Sequence, residues 1–487
     1  MAVKIPDQWV GAIGSGSDGV ISESTLDLRQ PLAWKAATGD ALSMLDELQP
    51  NILKAHVRDR LSVLLLRFDD AREARNLLKG LLDDPALVKS ALMHLQETDD
   101  FKASGTPGTP YVGVGLTFSG YAALDVPQAS RPSDPSFVRG MRAPPTQRHL
   151  CDPPVDEWEA PYRDAIHAIL LIGDKTDGPV AALRAEVQSR LPASVSVVRE
   201  ETGIALHDDD RAIEHFGYLD GRSQPLFLVE DVEDERASSD GVTTWDPGFP
   251  LGQIIVPDPA APDPSTDYGS YLVFRKLEQN VARFHEQEDR LADQLGLVDE
   301  DERERAGAML VGRFEDGTPL TLQKDAGAAS PVMNDFTYAS DPDGLKCPMY
   351  AHVRKVNPRV TAERPHLMAR RGQTYGERDL EAEQENRKPL PQADVGLLFM
   401  AFNADIAEQF EYTQHTFANL ADPGSGPTSG ADPIIGQGSR EQTASPTTWG
   451  RSELTPTDPI AEAVTMKGGE YFFMPSRAFL RSLQPGR

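Results

Sequence analysis

The sequence predicts an α+β protein made of two ferredoxin-like halves, antiparallel sheets with helices on their faces. Three observations carry this. Residues 61–200 read in the order strand, helix, strand, strand, helix, strand, which is the ferredoxin-like pattern. The same alternation returns after residue 271. The chain's 487 residues also suffice for two or three domains at about 150 each.

In the first half, LSVLLLRF at 61–68 is a mostly apolar run bounded by charges and a candidate buried strand. Asp69 and Asp70 precede 71–82 as cap candidates for a helix. Residues 111–117 alternate apolar residues with Gly and predict a second strand, followed by a short helix near 120–124. A polar, Pro-rich connector runs from 127 to 161. Residues 167–173 predict a strand, 180–191 a helix, and 195–200 a closing strand.

The second half starts with a strand at 271–277. The helix predicted over 278–297 carries Val281, Phe284, Leu291 and Leu295 on one face. Residues 396–402 form the next strand. After it, Asp405 with Glu408 three residues on makes a capping box. Residues 470–473 complete the set. Residues 1–45 read as an irregular arm, so the expected division is an arm at 1–45, an N-terminal domain at 46–214 and a C-terminal domain at 215–487. Residues 230–267 and 422–459 are rich in Gly, Pro, Ser and Asp. Loops this long are usually functional, and both are expected to rim a pocket.

Composition narrows the function. A net charge of −28 argues against nucleic acid and anionic membrane surfaces as partners. Cys151 and Cys347 are the only cysteines, too few for a disulfide framework or a thiolate cluster. The first residues lack a signal-peptide core, and no run of about 18 apolar residues marks a membrane span. A cytoplasmic location is the expectation, with export by another route left open.

Chemistry concentrates in two stretches. Residues 347–376, CPMYAHVRKVNPRVTAERPHLMARRGQTYG, hold two of the ten His and a dense set of Arg. Asn357-Pro358 should end whatever begins at His352, because the residue before proline avoids the helical region. Residues 366–370 predict a short strand with His366 and Arg370 on one face. The second stretch, HFGYLDGRSQP at 215–225, places Asp220 in a glycine-framed turn. Taken singly, a lone His is most often an ordinary surface or core residue, and Asp in such a turn commonly just bonds its own backbone.

Taken together, the two stretches resemble a known family. GYLDGRSQP resembles the GxxDG signature of the dye-decolourising peroxidases, which are haem peroxidases. CPMYAHVRKVNPR resembles their proximal-histidine segment, and MARRGQTYG their distal-arginine segment. QPNILKAHVRD, GSYLVFRKLEQNVARF, MLVGRFEDGTPL, NDFTY, GLLFMAFNADI and DPIIGQG extend the match from about residue 45 onward. The length and long loops resemble the larger subfamilies.

The resemblance implies two ferredoxin-like sheets with haem b in the C-terminal half. His352 would ligate the iron, Asp220 would act as acid and base, and Arg370 would be the distal cation. Arg371 competes for that role, or points to solvent or a propionate. A carboxylate should accept the other ring N–H of His352, with Asp432 the candidate and Asp405, which capping already explains, the alternative. Leu397 and Phe399 share a strand face and would narrow access above the haem. Arg275 and Arg313 would bind propionates or form surface ion pairs, and His366 would line the propionate edge. Trp245, Tyr375 and Trp449 are relay candidates or ordinary packing residues.

The implied activity is reduction of hydrogen peroxide through a ferryl intermediate, with one-electron oxidation of phenolic or dye-like donors. Small aromatic reductants would be the partners, and a homo-oligomer is compatible with the sequence. A rival is a haem- or iron-handling protein on the same fold without significant turnover. Having both Asp220 and Arg370 weighs against it, since storage needs neither. A second rival is an acidic two-domain interaction protein without cofactor.

Overall fold

The computed structural model describes residues 26–83, 87–208, 211–238, 241–327, 332–385, 387–422 and 429–484. Most of the expected arm at 1–45 lies outside these residues. The described part is not all irregular: Gly39–Glu47 is an α-helix whose Met44 and Leu45 are buried.

The N-terminal half supplies four strands to the main sheet: β1 (Arg60–Phe68), β2 (Tyr111–Leu116), β3 (Ala168–Asp174) and β4 (Val195–Ile204). The C-terminal half has β5 (Tyr268–Gln279), β6 (Gln373–Tyr375), β7 (Gly396–Asn403) and β8 (Val464–Met474). The order across the sheet is β6-β7-β5-β8-β2-β3-β1-β4, all antiparallel. Each half thus repeats the order second, third, first, fourth, which is the ferredoxin-like arrangement twice over.

The two sheets are joined into one ten-stranded sheet, the short strands Val256–Pro257 and Ala369–Arg370 pairing with β5 and β7. The seam between β8 and β2 is thin, a single register pair of Phe473 opposite Leu116. At the far edges β6 lies beside β4. There the Thr374 hydroxyl donates to the carbonyl of Ile204 at 2.5 Å and accepts from the Leu206 N–H at 3.2 Å. The sheet therefore curls into a barrel in which the halves meet twice.

Local chemistry sets the elements. The Asp70 carboxylate accepts from the Glu73 N–H at 2.8 Å and starts helix α1 (Ala71–Gly80). Asn280 does the same for helix α2 (Val281–Leu295), accepting from the Arg283 N–H, and Gly296 ends α2 at φ +69°. Val281, Phe284, Leu291 and Leu295 of α2 are buried as the period predicts. They share a core with the helix Glu300–Val311, which gave no sequence signal.

Several expectations change. The connector at 127–161 holds short helices at Pro135–Arg139, Pro144–Leu150 and Ala160–Arg163, each with proline in its first turn. The stretch 230–267 includes the C-terminal part of the helix Val229–Ala237, and 422–459 includes the hairpin Thr443–Pro446/Leu454–Thr457. The segment after Asp405 is π-helical at Ala407–Glu411 and Thr413–Asn419.

Candidate active site

A cavity of about 600 Å³ lies against β5 and β7 and runs toward the N-terminal half. Strand register builds its wall. Leu277 stands opposite Leu397 and Arg275 opposite Phe399, so all four project from one face of the sheet, and all four line the cavity. Leu398 and Met400, one residue out of phase, are buried on the other side. The wide turns of the π-helices bring Phe410, Thr413 and Gln414 into the lining.

His352 is the first residue of the helix His352–Val356, which stops at Asn357 before Pro358 as expected. It lines the cavity, and its Nδ1 lies 2.8 Å from Asp432 Oδ2. The Asp432 side chain is fully buried, and its other oxygen accepts the N–H groups of Ile434 and Ile435 at 2.8 and 2.9 Å. Burial pushes this carboxyl up, but His352 and the two N–H donors outweigh it and hold it below its ordinary value. Asp405 instead accepts the Glu408 N–H at 2.9 Å, its capping role.

Asp220 and Arg370 also line the cavity. The Asp220 turn is framed by Gly217 at φ +100° and Gly221 at φ +83°, conformations only glycine takes freely. The Asp220 N–H donates to Ala212 O, and its carboxylate accepts the Gly221 N–H at 2.6 Å. Arg370 ends the two-residue strand Ala369–Arg370, and its Nη2 donates to Arg222 O at 3.2 Å. Burial lowers the pKa of its guanidinium, and the negative charge of Asp220 opposes that.

The remaining cations are corrected or refined. Arg371 lines the cavity beside Arg370 and does not point to solvent. It is buried, and its Nε and Nη2 donate to the carbonyls of Asn51 and Ile52, both at 3.0 Å. Burial, with the nearby Arg58, pulls its pKa down to about 9. Arg275 is not in a surface pair. It forms a two-pronged ion pair with Asp152 in which the side chains are 3 % and 0 % exposed, with the Phe410 ring against it. Arg313 lines the cavity, but its donors hold Gly317 O and Met333 O at 2.8 and 2.9 Å.

His366 also lines the cavity. It does not share a strand face with Arg370, because it sits in the 3-10 turn Thr361–His366 with Pro365 inside it, and its ring stacks on Tyr412 at 3.6 Å. Of the two long irregular stretches, 422–459 contributes Ile434 and Ile435 to the lining. Residues 230–267 contribute none among the described residues. Trp245 and Tyr375 are buried in the core, and Trp449 donates to Leu320 O.

Asp152 and Phe410 were missed. Asp152 lies in the Pro-rich connector, 123 residues before its partner, with no local pattern to mark it. Phe410 sits in a segment read as an ordinary α-helix, and its aromatic class alone did not separate it from core residues.

The donor set fits a haem. The cavity is walled by Leu277, Val311, Val353, Leu397, Phe399 and Val464, suited to an apolar macrocycle. At one wall a histidine has its Nδ1 fixed by a carboxylate, the usual support for a metal-binding imidazole. Arg275 Nε is a buried donor with no partner among the described residues.

Residues 47–205 match the DyP dimeric alpha+beta barrel domain, and 252–425 the C-terminal domain of Dyp-type peroxidases. The chain is 57 % identical over 471 residues to the multifunctional dye peroxidase DyP2 of an Amycolatopsis strain, covering 94 % of this chain and 100 % of that protein. It belongs to the dye-decolourising peroxidases. The solved structure of DyP2 superposes with a TM-score of 0.90. That of a DyP-type peroxidase from Anabaena, 34 % identical, superposes with 0.85 over 91 % of this chain and 95 % of that one. A dye-decolorizing peroxidase of Mycena epipterygia is 32 % identical over 81 % of each chain. The family assignment agrees with the two fused ferredoxin-like halves. Among the described residues of this family member, no helix is long and apolar enough to cross a membrane.

Proposed function

We propose that this dye-decolourising peroxidase binds haem b through His352 and reduces hydrogen peroxide at the face bearing Asp220 and Arg370. The observation that carries the reading is that one cavity is lined by His352, whose Nδ1 is held by Asp432, and by both Asp220 and Arg370. Bound haem would supply the iron that accepts oxidising equivalents from peroxide and passes them on singly to donors.

Each residue has a defined task. His352 offers Nε2 to the metal while Asp432 holds the proton on Nδ1 and strengthens the ring as a donor. Asp220 takes a proton from one peroxide oxygen and returns it to the departing one, as a carboxylate within reach of both can. Arg370 cannot lose its charge at working pH and stabilises the anion that develops as the O–O bond lengthens. Leu397 and Phe399 leave room for peroxide but not for bulky donors. Phenolic or dye-like reductants therefore deliver electrons at the periphery. Arg275 and His366 border the edge where propionates would lie, and Arg313 steadies the adjoining loop.

Stopped-flow mixing of the haem-loaded protein with peroxide tests this. Arg370→Leu should slow the spectral change on the order of 10²–10³-fold and Asp220→Asn on the order of 10²–10⁴-fold, both with full haem content. His352→Ala should lose the haem Soret band, while His366→Ala keeps it. Wild-type rates in both distal variants would overturn the distal assignment, and retained histidine-ligated haem in His352→Ala would overturn the proximal one.

A further inference from the structure

The five-residue helix that carries His352 buries two charged side chains, Arg354 and Lys355. Lys355 lies one turn after His352 and is 7 % exposed. Its Nζ donates to Leu420 O at 3.0 Å, Ser429 Oγ at 2.9 Å and Gly430 O at 2.6 Å. An ammonium has three protons, and here each finds an acceptor. Burying an ammonium is costly even so, and without it the three acceptors would lose their donor. The position therefore spends stability on geometry.

That geometry points at Asp432. Gly430 lies two residues before it. The Asp432 N–H donates to Ala418 O at 2.8 Å, and its carbonyl accepts from Arg440 Nη1 at 3.1 Å. These bonds hold Asp432 within its own segment. Two side-chain ties cross from that segment to the helix: His352 to Asp432, and Lys355 to Gly430 and its neighbours. The first is the functional contact. The second fixes the distance over which it is made.

We propose that Lys355 is a positioning residue that keeps Asp432 in hydrogen-bond register with His352 Nδ1 and so sets how strongly the imidazole donates to a bound metal. This rests on the haem reading above. A carboxylate on the far ring nitrogen makes the imidazole more basic, and loss of such a partner typically costs about 10–100-fold in metal affinity or activity. A more basic ligand stabilises ferric iron and lowers the reduction potential. Loosening Asp432 must then raise the potential and weaken the iron–histidine stretching mode. Removing a positive charge without moving Asp432 does the reverse, because it disfavours the reduced, less positive iron. The sign of the shift separates positioning from simple electrostatics.

The test measures the ferric/ferrous potential and the ferrous iron–histidine stretching frequency of the haem-loaded protein. The variants are Asp432→Asn, Lys355→Met, Lys355→Gln and the double variant Lys355→Met/Asp432→Asn. The expected result is that both Lys355 variants raise the potential and lower the frequency in the direction of Asp432→Asn, Gln less than Met. The double variant should match Asp432→Asn alone, because residues acting through one contact are not additive. A lowered potential, a shift that adds in the double variant, or a fall in melting temperature with both readouts unchanged would each overturn the proposal. If Lys355→Met fails to load haem, Lys355→Gln decides by the same criteria. If wild type shows no histidine-ligated haem, the haem reading falls and this one with it. If wild type and Asp432→Asn behave as expected and the Lys355 variants equal wild type, only the Lys355 role falls.

Discussion

The Arg275–Asp152 pair allows an asymmetric prediction. The side chains are 3 % and 0 % exposed, and two guanidinium nitrogens reach the two carboxylate oxygens. Breaking a buried pair leaves the survivor as an uncompensated charge, at a cost of about 3–5 kcal/mol. The survivors are not equivalent, though. An aspartate can take up a proton, and burial already raises the pKa of Asp152 against the pull of Arg275. A guanidinium cannot shed its charge at any ordinary pH. Asp152→Ala should therefore cost the full range, while Arg275→Met should cost about 1–3 kcal/mol, the penalty of a neutral buried group with a lost partner. The pH dependence follows. In Arg275→Met the folded-state pKa of Asp152 rises further above its unfolded value. The folded form then binds the extra proton, and the variant recovers stability as pH falls from 7 toward 5 relative to wild type. Urea unfolding of the apo proteins at both pH values measures this. Costs below 1 kcal/mol for both variants, or a larger cost for Arg275→Met, would refute the reasoning.

Three further outcomes are expected. A Cβ at Gly203 would lie 2.5 Å from Gln373 Cγ and 3.1 Å from Leu61 Cβ, where β4 meets β6, so Gly203→Val should lower stability by about 1–3 kcal/mol in thermal unfolding. His215 is fully buried with Nε2 2.7 Å from Tyr375 O, and burial pulls its pKa from 6.5 to about 4. Its stabilisation is complete above pH 6.5 and lost as pH falls toward 4, up to about 3 kcal/mol, so the melting temperature of His215→Asn should fall less steeply than wild type over that window. Asn280→Ala removes the cap of α2 and should cost about 1 kcal/mol in chemical denaturation.

Seven of the eight strands β1 to β8 were legible from an apolar run, as in LSVLLLRF at 61–68, whereas β6, the three residues QTY at 373–375, has none. The cap at Asp70 and the buried face of α2 were equally plain. The helix Ala91–Ser104 was not, because its sequence lacks an apolar stripe and only a few of its residues are buried. The connector helices did carry a signal in their first-turn prolines, which the overall Pro content obscured. At the site, the motif residues could be named, and so could Asp432 as the candidate partner of His352, but not the partners of Arg275 and Arg371. The bond from His352 to Asp432 spans 80 residues and that from Arg371 to Asn51 spans 320. Such distances close only when the barrel does, so Arg371 was indistinguishable from a solvent-facing neighbour of Arg370.

That last contact bears on modularity. Arg370 and Arg371 are consecutive and both line the cavity, yet Arg371 is anchored in the opposite half. The anchor points are main-chain carbonyls, which every residue type supplies. Recombining the halves of two relatives near residue 215 would thus preserve this tether whatever side chains stand at 51 and 52. The crossings made by side chains on both sides, such as Lys276 to Glu201 at 3.0 Å, survive only if both parents carry the matching pair. Compatibility between parental halves is decided at those pairs, and Arg370, next to the tether, keeps its footing in chimeras that otherwise fit poorly.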